Sequence, residues 1–166
     1  MNKIYFALTI IAGILLLESC LQPPSFPVEP EIHYIGINKN TIYQGSLGGV
    51  ADTLVVQFGF TDGDGDLSSQ DSLLDIFLTD SRQGAVTEFK YPLIAEEGTA
   101  NGISGEVSIS ITNAFGNICC LYSNGDDPCT SQPGQLDTFN FSIQIRDRAD
   151  NYSNIVETES IYIICD

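Results

Sequence analysis

The fold of this chain is indicated most clearly by residues 53–61, which read Thr53-Leu54-Val55-Val56-Gln57-Phe58-Gly59-Phe60-Thr61. Apolar side chains occupy every second position from Leu54 to Phe60, and most of the side chains between them are polar or small. Successive side chains of a β-strand point to opposite faces of its sheet. The stretch therefore predicts a strand with one face against a hydrophobic core and the other towards water.

The same period of two recurs along the rest of the chain. It is clear in residues 74–79, 103–112 and 139–146, and weaker in residues 32–38, 88–94 and 156–165. No stretch after residue 19 keeps a helical period, and clusters of Gly, Asn and Asp separate the strand patterns. About seven half-buried strands of this kind predict an all-β fold, an immunoglobulin-like antiparallel β-sandwich.

Residues 31–166 have the length of one domain with a hydrophobic core of its own. Within this domain, residues 113–136 show no strand period, and they contain three cysteines and two prolines. Proline lacks the N–H group that a sheet ladder requires. We interpret this stretch as a Cys-rich loop inserted between two strands of the sandwich.

The beginning of the chain resembles an export signal. Lys3 is followed by an uncharged, mainly apolar run over residues 4–17, which is shorter than the roughly 20 residues that span a bilayer. Leu17-Glu18-Ser19-Cys20 comes next and resembles a bacterial lipobox, with Glu18 as a departure from the usual small or apolar residue. We therefore predict a lipoprotein signal peptide over residues 1–19 and lipidation of Cys20. The alternatives are a plain signal peptide cut elsewhere and an uncleaved anchor.

Residues 20–30 are predicted to join the lipidated cysteine to the folded domain. Four of the ten residues from 21 to 30 are prolines, so this segment cannot form a helix or a sheet ladder. A Pro-rich segment is extended, with a rise of about 3 Å per residue. We expect a tether between the domain and the membrane, and the membrane is the one partner that this part of the sequence predicts.

The charge of the chain limits its partners. The formal net charge is −16 at pH 7, and it stays the same without residues 1–19, which hold one lysine and one glutamate. Such a protein is repelled by the phosphates of nucleic acids and by anionic lipids. The sequence therefore predicts no nucleic-acid partner, and its acidity fits either simple solubility or cation binding.

Four cysteines remain for disulfides once Cys20 carries lipid, namely Cys119, Cys120, Cys129 and Cys165. An even number in an oxidising compartment predicts two disulfides, with three pairings open. Adjacent cysteines rarely bond to each other, because the small ring strains the peptide between them. We favour Cys120 with Cys129 and Cys119 with Cys165. Metal binding by these cysteines is disfavoured, since no C-x-x-C spacing occurs.

The sharpest local motif directly follows the first strand pattern and reads Asp62-Gly63-Asp64-Gly65-Asp66. Three carboxylates on alternate residues, separated by glycines, can curl around one hard cation, and calcium takes six to eight oxygen ligands. The motif is not an EF-hand, because Leu67 and Leu73 replace the glycine and glutamate that such a loop requires. The alternative is an acidic β-turn without metal.

A second acidic loop is expected near the first. Residues 146–154 follow the strand pattern at 139–146 and contain Asp147 and Asp150. In a seven-strand sandwich, both loops would leave the same end, as the B–C and F–G loops do. We therefore predict a calcium site formed by Asp62, Asp64, Asp66, Asp147 and Asp150. The alternative is that Arg146 or Arg148 neutralises the first loop without metal.

These two motifs, residues 60–67 and 146–154, resemble those of largely uncharacterised envelope lipoproteins of Bacteroidetes. The second motif is also similar to the D-x-A-G-N-x-S ending of bacterial immunoglobulin-like repeats, with Asp150 at the usual glycine. The resemblance implies a lipid-anchored envelope protein with a β-sandwich, and it implies no reaction. Leu21 after the cysteine resembles an outer-membrane sorting signal, so we expect an outer-membrane location, facing either the periplasm or the surface.

No pattern in the sequence indicates catalysis. The chain has a single histidine, His33, and lacks the H-E-x-x-H, G-x-S-x-G and phosphate-loop motifs. We therefore predict a non-catalytic envelope lipoprotein with a structural or binding role and a protein or glycan partner. The alternative is a glycan-binding module with an aromatic platform, although the chain has no tryptophan. The candidate platform residues are Tyr34, Tyr43, Phe77, Tyr91, Tyr122 and Tyr152.

Overall fold

A computed structural model describes residues 25–45, 50–67, 74–92, 102–114 and 116–166 of the chain. The predicted signal peptide at residues 1–19, the predicted lipidation site Cys20 and the tether up to residue 24 lie outside the described residues. Those three assignments therefore stay predictions. In the described part of the chain, no helix has the length and apolar character that crossing a bilayer requires.

The described residues form an all-β fold without helices, and the predicted antiparallel sandwich architecture is confirmed. Ten strands are present, instead of the seven or so predicted. They are β1 (Glu31–Ile37), β2 (Thr41–Tyr43), β3 (Thr53–Asp62), β4 (Ile76–Asp80), β5 (Val86–Phe89), β6 (Ile103–Thr112), β7 (Leu136–Phe139), β8 (Phe141–Ile145), β9 (Val156–Glu157) and β10 (Ile161–Ile164).

The first sheet has the order β1-β3-β6, with β3 in the middle and antiparallel to both neighbours. Strand β3 contains residues 53–61, whose alternating pattern indicates the fold. Strand β6 covers the same residues, 103–112, as its pattern of alternating side chains. Thr53 pairs with Thr112 at one end of the sheet, and Asp62 pairs with Ile103 at the other. The end of β3 thus places residue 62 at one tip of the sandwich.

The other strands form two smaller sheets, with the orders β2-β10-β7 and β5-β4-β8-β9. Residues 139–146, predicted as one strand, are divided at Asn140. Strand β7 pairs with β10, whereas β8 pairs with β4 and β9. Strands that change sheets at a bend form the corners of many sandwiches. The segment 156–165 likewise supplies β9 to one sheet and β10 to the other. These two divisions, together with β2, which no strand pattern predicted, raise the count from seven to ten.

One hydrophobic core joins the three sheets. The alternate residues Leu54, Val56, Phe58 and Phe60 of β3 are all buried in it, as the period of two predicts. Side chains of β4, β8 and β10 face them, among them Leu78, Ile143 and Ile163. Burial of apolar surface at about 25 cal/mol per Å² is the main term that stabilises such a layered fold.

Asn154 closes the side of the sandwich between β1 and β9. Its side-chain Oδ1 accepts a hydrogen bond from the N–H of Ile32 at 2.8 Å, and its Nδ2 donates to the carbonyl of Ile32 at 2.9 Å. The amide side chain therefore makes the two bonds that a neighbouring strand would make. It ties the segment after β8 to the first sheet.

The segment between β6 and β7 contains no strand or helix in its described residues, 113–114 and 116–135. Two disulfides hold it, one from Cys119 to Cys129 and the other from Cys120 to Cys165. The pairing that we favoured from the sequence is therefore wrong. Cys120 is buried and faces the last strand, whereas Cys119 points out into the loop. The pairing favoured from the sequence and the observed pairing agree in one respect, because in both Cys119 and Cys120 bond to different partners.

Arg82 also fixes this loop, at the tip of the sandwich opposite to residue 62. Its Nε donates to Oδ1 of Asp80 at 3.0 Å, and its guanidinium forms an ion pair with Asp137. Its Nη1 donates to the carbonyl of Cys119 at 2.9 Å, and the group lies 4.6 Å from the centre of the Phe139 ring. This cation is held by two carboxylates and an aromatic face, so it stabilises the loop.

Candidate metal centre

The acidic loop begins at the last residue of β3. Oδ2 of Asp62 accepts a hydrogen bond from the N–H of Asp66 at 2.8 Å, which closes the loop on itself. Gly65 has a φ of 74°, a conformation that residues with a Cβ rarely adopt. Leu67 is buried in the core and holds the far end of the loop. The sequence thus makes a tight turn with its acidic side chains directed inwards.

The carboxylates of Asp62, Asp64 and Asp66 converge. One oxygen from each lies within 4.8 Å of the others. Two oxygens that bind one calcium ion at 2.3–2.6 Å are at most about 5.2 Å apart, whereas the corresponding limit for magnesium is about 4.2 Å. The spacing of the three oxygens therefore falls within the span that calcium ligands allow, and the hard oxygen ligands match the chemistry of calcium.

The same three carboxylates contain unsatisfied oxygens. The Oδ1 atoms of Asp62, Asp64 and Asp66 are buried, and none of them accepts a hydrogen bond within the described residues. Asp62 as a whole is 0% exposed. A buried carboxylate is unfavourable unless a hydrogen bond, a counter-charge or a metal compensates it. A cation among these three oxygens would supply that compensation.

The loop is electrostatically strained by its own charge. Burial, followed by the negative charge of Asp64, raises the pKa of Asp62 to about 6. Burial, followed by the charge of Asp147, raises the pKa of Asp66 to about 6. Arg148 opposes the second shift but does not cancel it. Arg148 therefore offsets only part of the negative charge of the loop, so the alternative in which an arginine neutralises the loop without metal holds only in part.

The second acidic loop lies against the first. The N–H and Nε of Arg148 donate to the main-chain carbonyl of Asp66, at 3.3 and 3.0 Å. Asp147 is buried beside the group, and its negative charge contributes to the raised pKa values of Asp62 and Asp66. Its two carboxylate oxygens accept bonds from the main-chain N–H and the side-chain amide of Asn151, each at 2.8 Å. The structure thus brings Asp147 to the acidic end of the sandwich.

Asp150 occupies a different position from the other predicted ligands. Its side chain is 76% exposed and lies 3.4 Å from Nη1 of Arg146, and its φ of 66° directs the chain around a turn. It does not belong to the group of three converging carboxylates. Of the five residues predicted for a joint site, the structure brings together Asp62, Asp64 and Asp66, with Asp147 next to them.

Two residues at this end of the sandwich were not predicted from the sequence. Asp75 is 3% exposed, and its carbonyl accepts a hydrogen bond from the N–H of Arg146 at 2.8 Å. Tyr91 is also 3% exposed and packs edge-on against Phe60. Burial raises the pKa of Tyr91, and the charges of Asp75 and Asp62 add to the effect. The period of two places Asp75 on the solvent face, so no pattern in the sequence indicates its burial.

The aromatic residues proposed for a glycan platform are on different strands and loops of the fold. Tyr91 belongs to the core, while Phe77 and Tyr152 lie together with ring centres 6.0 Å apart. His33 is exposed on β1, and its imidazole ring packs over Gly59 of β3. The glycan-binding alternative therefore stays a prediction, without a specific observation in its favour.

Comparison of this chain with protein-family models, with curated proteins and with solved structures gives no match. The proposed function therefore rests on the geometry of the acidic end and on the chemistry of its residues.

Proposed function

We propose that the protein is a non-catalytic lipoprotein of the cell envelope, in which a calcium ion bound by Asp62, Asp64 and Asp66 stabilises one end of the β-sandwich. The observation that carries this proposal is the convergence of three buried Oδ1 atoms that accept no hydrogen bond within the described residues. Three such atoms in one loop are difficult to explain in a stable fold unless a cation binds them.

The surroundings of the loop support calcium as that cation. Calcium accepts six to eight oxygens in flexible geometry, so main-chain carbonyls and water can complete the three carboxylates. Asp147 adds a further negative charge beside the group, which strengthens the attraction for a divalent ion. Asp150 has no assigned role in the proposal, because its side chain points into solvent next to Arg146.

The role of the ion would be structural. The loop after β3 and the loop after β8 meet at this end through Arg148 and Asp66, so a bound ion would fix both loops at once. The lipid on Cys20 and the tether would hold the domain at the membrane, since two or more acyl chains give stable anchoring. A stiffened tip on an anchored domain is suited to binding or scaffolding.

Thermal unfolding of the soluble Cys20→Ser protein, prepared without residues 1–19, tests this proposal. A ligand that binds only the folded state at a hundredfold excess over its Kd stabilises that state by about 2.7 kcal/mol. By the usual size scaling, calcium should raise the Tm by roughly 5–15 °C over the chelator-treated protein. Magnesium should raise it less, because it requires a stricter octahedron. An unchanged Tm at millimolar calcium would contradict the proposal.

A further inference from the structure

The segment that leads from the tether into the domain lies directly on the acidic loop. If Gly63 carried a Cβ atom, that atom would be 2.4 Å from the carbonyl oxygen of Phe26 and 2.5 Å from that of Pro27. Contacts this short leave no room for a side chain. The backbone at residues 26 and 27 therefore packs against the backbone of the loop, at the residue between Asp62 and Asp64.

The side chain of Phe26 extends this contact to the neighbouring strand. A Cβ on Gly102 would be 2.8 Å from Cδ2 of Phe26 and 2.8 Å from the carbonyl oxygen of Asp62. Gly102 directly precedes β6, where Ile103 pairs with Asp62. The Phe26 ring is half-buried, and it covers the point where β6 begins beside the acidic loop.

We propose that residues 25–30 and the acidic loop form one cation-dependent unit, in which the bound ion holds the tether docked on the domain. This inference rests on the proposed calcium site. The surface on which Phe26 and Pro27 rest is formed by Gly63 and by the backbone of Asp62, so the conformation of the loop decides whether the surface exists. Without the ion, repulsion among the carboxylates opens the loop and releases the segment.

Docking sets the distance between the domain and the membrane. Phe26 is six residues after Cys20, and an extended chain spans at most about 3.3–3.6 Å per residue. A docked tether therefore keeps the calcium end within about 20 Å of the lipidated residue. A released tether reaches to Glu31, the first residue of β1, which extends the span to about 36 Å. The calcium end faces the membrane, and the tip with Arg82 faces away from it.

Cleavage of the tether by an elastase that cuts after valine tests this unit. Val28 is exposed in the docked segment, and cleavage after it would release the domain from membranes that carry the lipidated full chain. A protease requires a flexible segment, so release should be at least tenfold slower with saturating calcium than with chelator. A peptide substrate in the same buffers corrects for any effect of calcium on the protease, and the mass of the released N-terminus identifies the cut.

Two variants separate docking from calcium binding. Phe26→Ala removes the ring that covers Gly102 and leaves the acidic loop unchanged. It should give fast release with and without calcium, while calcium still raises the Tm. Gly63→Ala places a Cβ against the two carbonyl oxygens and should also give fast release. Gly36→Ala is the matched control, because a Cβ there meets nothing within 4 Å, and it should behave like the wild type.

The outcomes distinguish this inference from the proposed function. A higher Tm in calcium together with slower release supports both. A higher Tm with a release rate that changes less than twofold overturns the docking unit and leaves the calcium site standing. Slow release from the Phe26→Ala protein in calcium also overturns the docking unit. If calcium changes neither the Tm nor the release rate, both the proposed site and the docking unit are wrong.

Discussion

Asp62 continues the inward-facing set of β3. Leu54, Val56, Phe58 and Phe60 point into the core, and the next residue in that series is an aspartate that is 0% exposed. For this fully buried group, the rise of the pKa from 3.8 to about 6 corresponds to a penalty on the order of 2–3 kcal/mol when it is ionised. A strand that ends with a buried acid is therefore destabilised near neutral pH unless a cation is bound.

Removal of two of the three carboxylates should stabilise the metal-free protein. In Asp64→Asn combined with Asp66→Asn, the like charges next to Asp62 disappear, so we expect the Tm in chelator to rise by a few degrees, equivalent to about 1–2 kcal/mol. The calcium-dependent increase in Tm should be lost. Differential scanning calorimetry with chelator and with calcium measures both effects.

The matched control for this variant is Glu88→Gln combined with Glu106→Gln. It removes the same number of negative charges from exposed positions on β5 and β6, and these charges do not contribute to the raised pKa values of Asp62 and Asp66. Surface substitutions of this kind usually change the unfolding free energy by less than about 0.5 kcal/mol. If the Tm of the control in chelator rises as much as that of the loop variant, general charge repulsion explains the effect. Repulsion within the acidic loop is then not its cause.

The raised pKa values of Asp62 and Asp66 predict a pH dependence with a definite sign. Between pH 4 and pH 6 the folded state binds more protons than the unfolded state, so the unfolding free energy falls as the pH rises through this window. Asp52 and Asp137, whose pKa values are lowered although burial opposes this, contribute below that window. Urea denaturation in chelator at pH 4, 5, 6 and 7 measures the dependence.

The difference between the loop variant and the wild type isolates the contribution of the acidic loop. The two proteins should differ least in stability at pH 4, where the carboxyls of Asp62 and Asp66 are protonated in the folded state and an ordinary aspartate of the unfolded state is only about half ionised. The Asp64→Asn, Asp66→Asn protein should become the more stable one as the pH rises to 7. If the difference in unfolding free energy between the two proteins stays constant from pH 4 to pH 7, the raised pKa values of Asp62 and Asp66 are contradicted.

At the residue scale, the sequence predicted the converging acids but not their burial. The D-G-D-G-D spacing indicates a turn of carboxylates, and the period of two in β3, extended by one step, would have placed Asp62 on the core side. The burial of Asp75 and Tyr91 depends on contacts with distant parts of the chain, such as the packing of Tyr91 against Phe60. No local pattern reports such packing, because it is set by contacts that are distant in sequence.

Among the elements, the loop between β6 and β7 depends on its two disulfides. The sequence predicts that Cys119 and Cys120 bond to different partners, but it cannot say which one faces the core, because the loop has no period. The structure directs Cys120 inwards to Cys165 of the segment after β10, and it directs Cys119 to Cys129 in the same loop. The longer cross-link therefore joins the loop to the end of the chain.

Loss of each disulfide should destabilise the protein according to the length of chain that it closes. Cys120 and Cys165 are 45 residues apart, whereas Cys119 and Cys129 are 10 apart. The loop-entropy relation gives about 4 kcal/mol for the first and about 2.7 kcal/mol for the second. Chemical denaturation of the two double-alanine variants compares them. A larger loss from the 119–129 pair would contradict this order.

Strand switching explains why the sheets were harder to predict than the strands. The period of two runs through residues 139–145, so nothing in the pattern marks Asn140 as the point where β7 ends and β8 begins. Strand β2 pairs in parallel with β10, more than a hundred residues later in the chain. Pairings over such distances follow from the shape of the whole core and not from local periodicity.

At the scale of the whole molecule, the predicted lipid anchor decides where the domain acts. Replacement of Cys20 by serine removes the thiol that would carry the lipid, so the protein should move from the membrane fraction to the soluble fraction. Fractionation and immunoblotting measure the distribution, with wild type as the reference. If the Cys20→Ser protein stays in the membrane fraction, an uncleaved signal segment or another anchor holds it, and the lipoprotein assignment is wrong.

Isothermal titration calorimetry of the Cys20→Ser protein without residues 1–19 tests the claim that the acidic loop binds calcium. We expect one calcium ion per chain in the wild type and in the Glu88→Gln, Glu106→Gln control. The Asp64→Asn, Asp66→Asn protein should bind no calcium in the same concentration range. Absence of binding to the wild type at millimolar calcium, or equal binding by the loop variant, would contradict the claim.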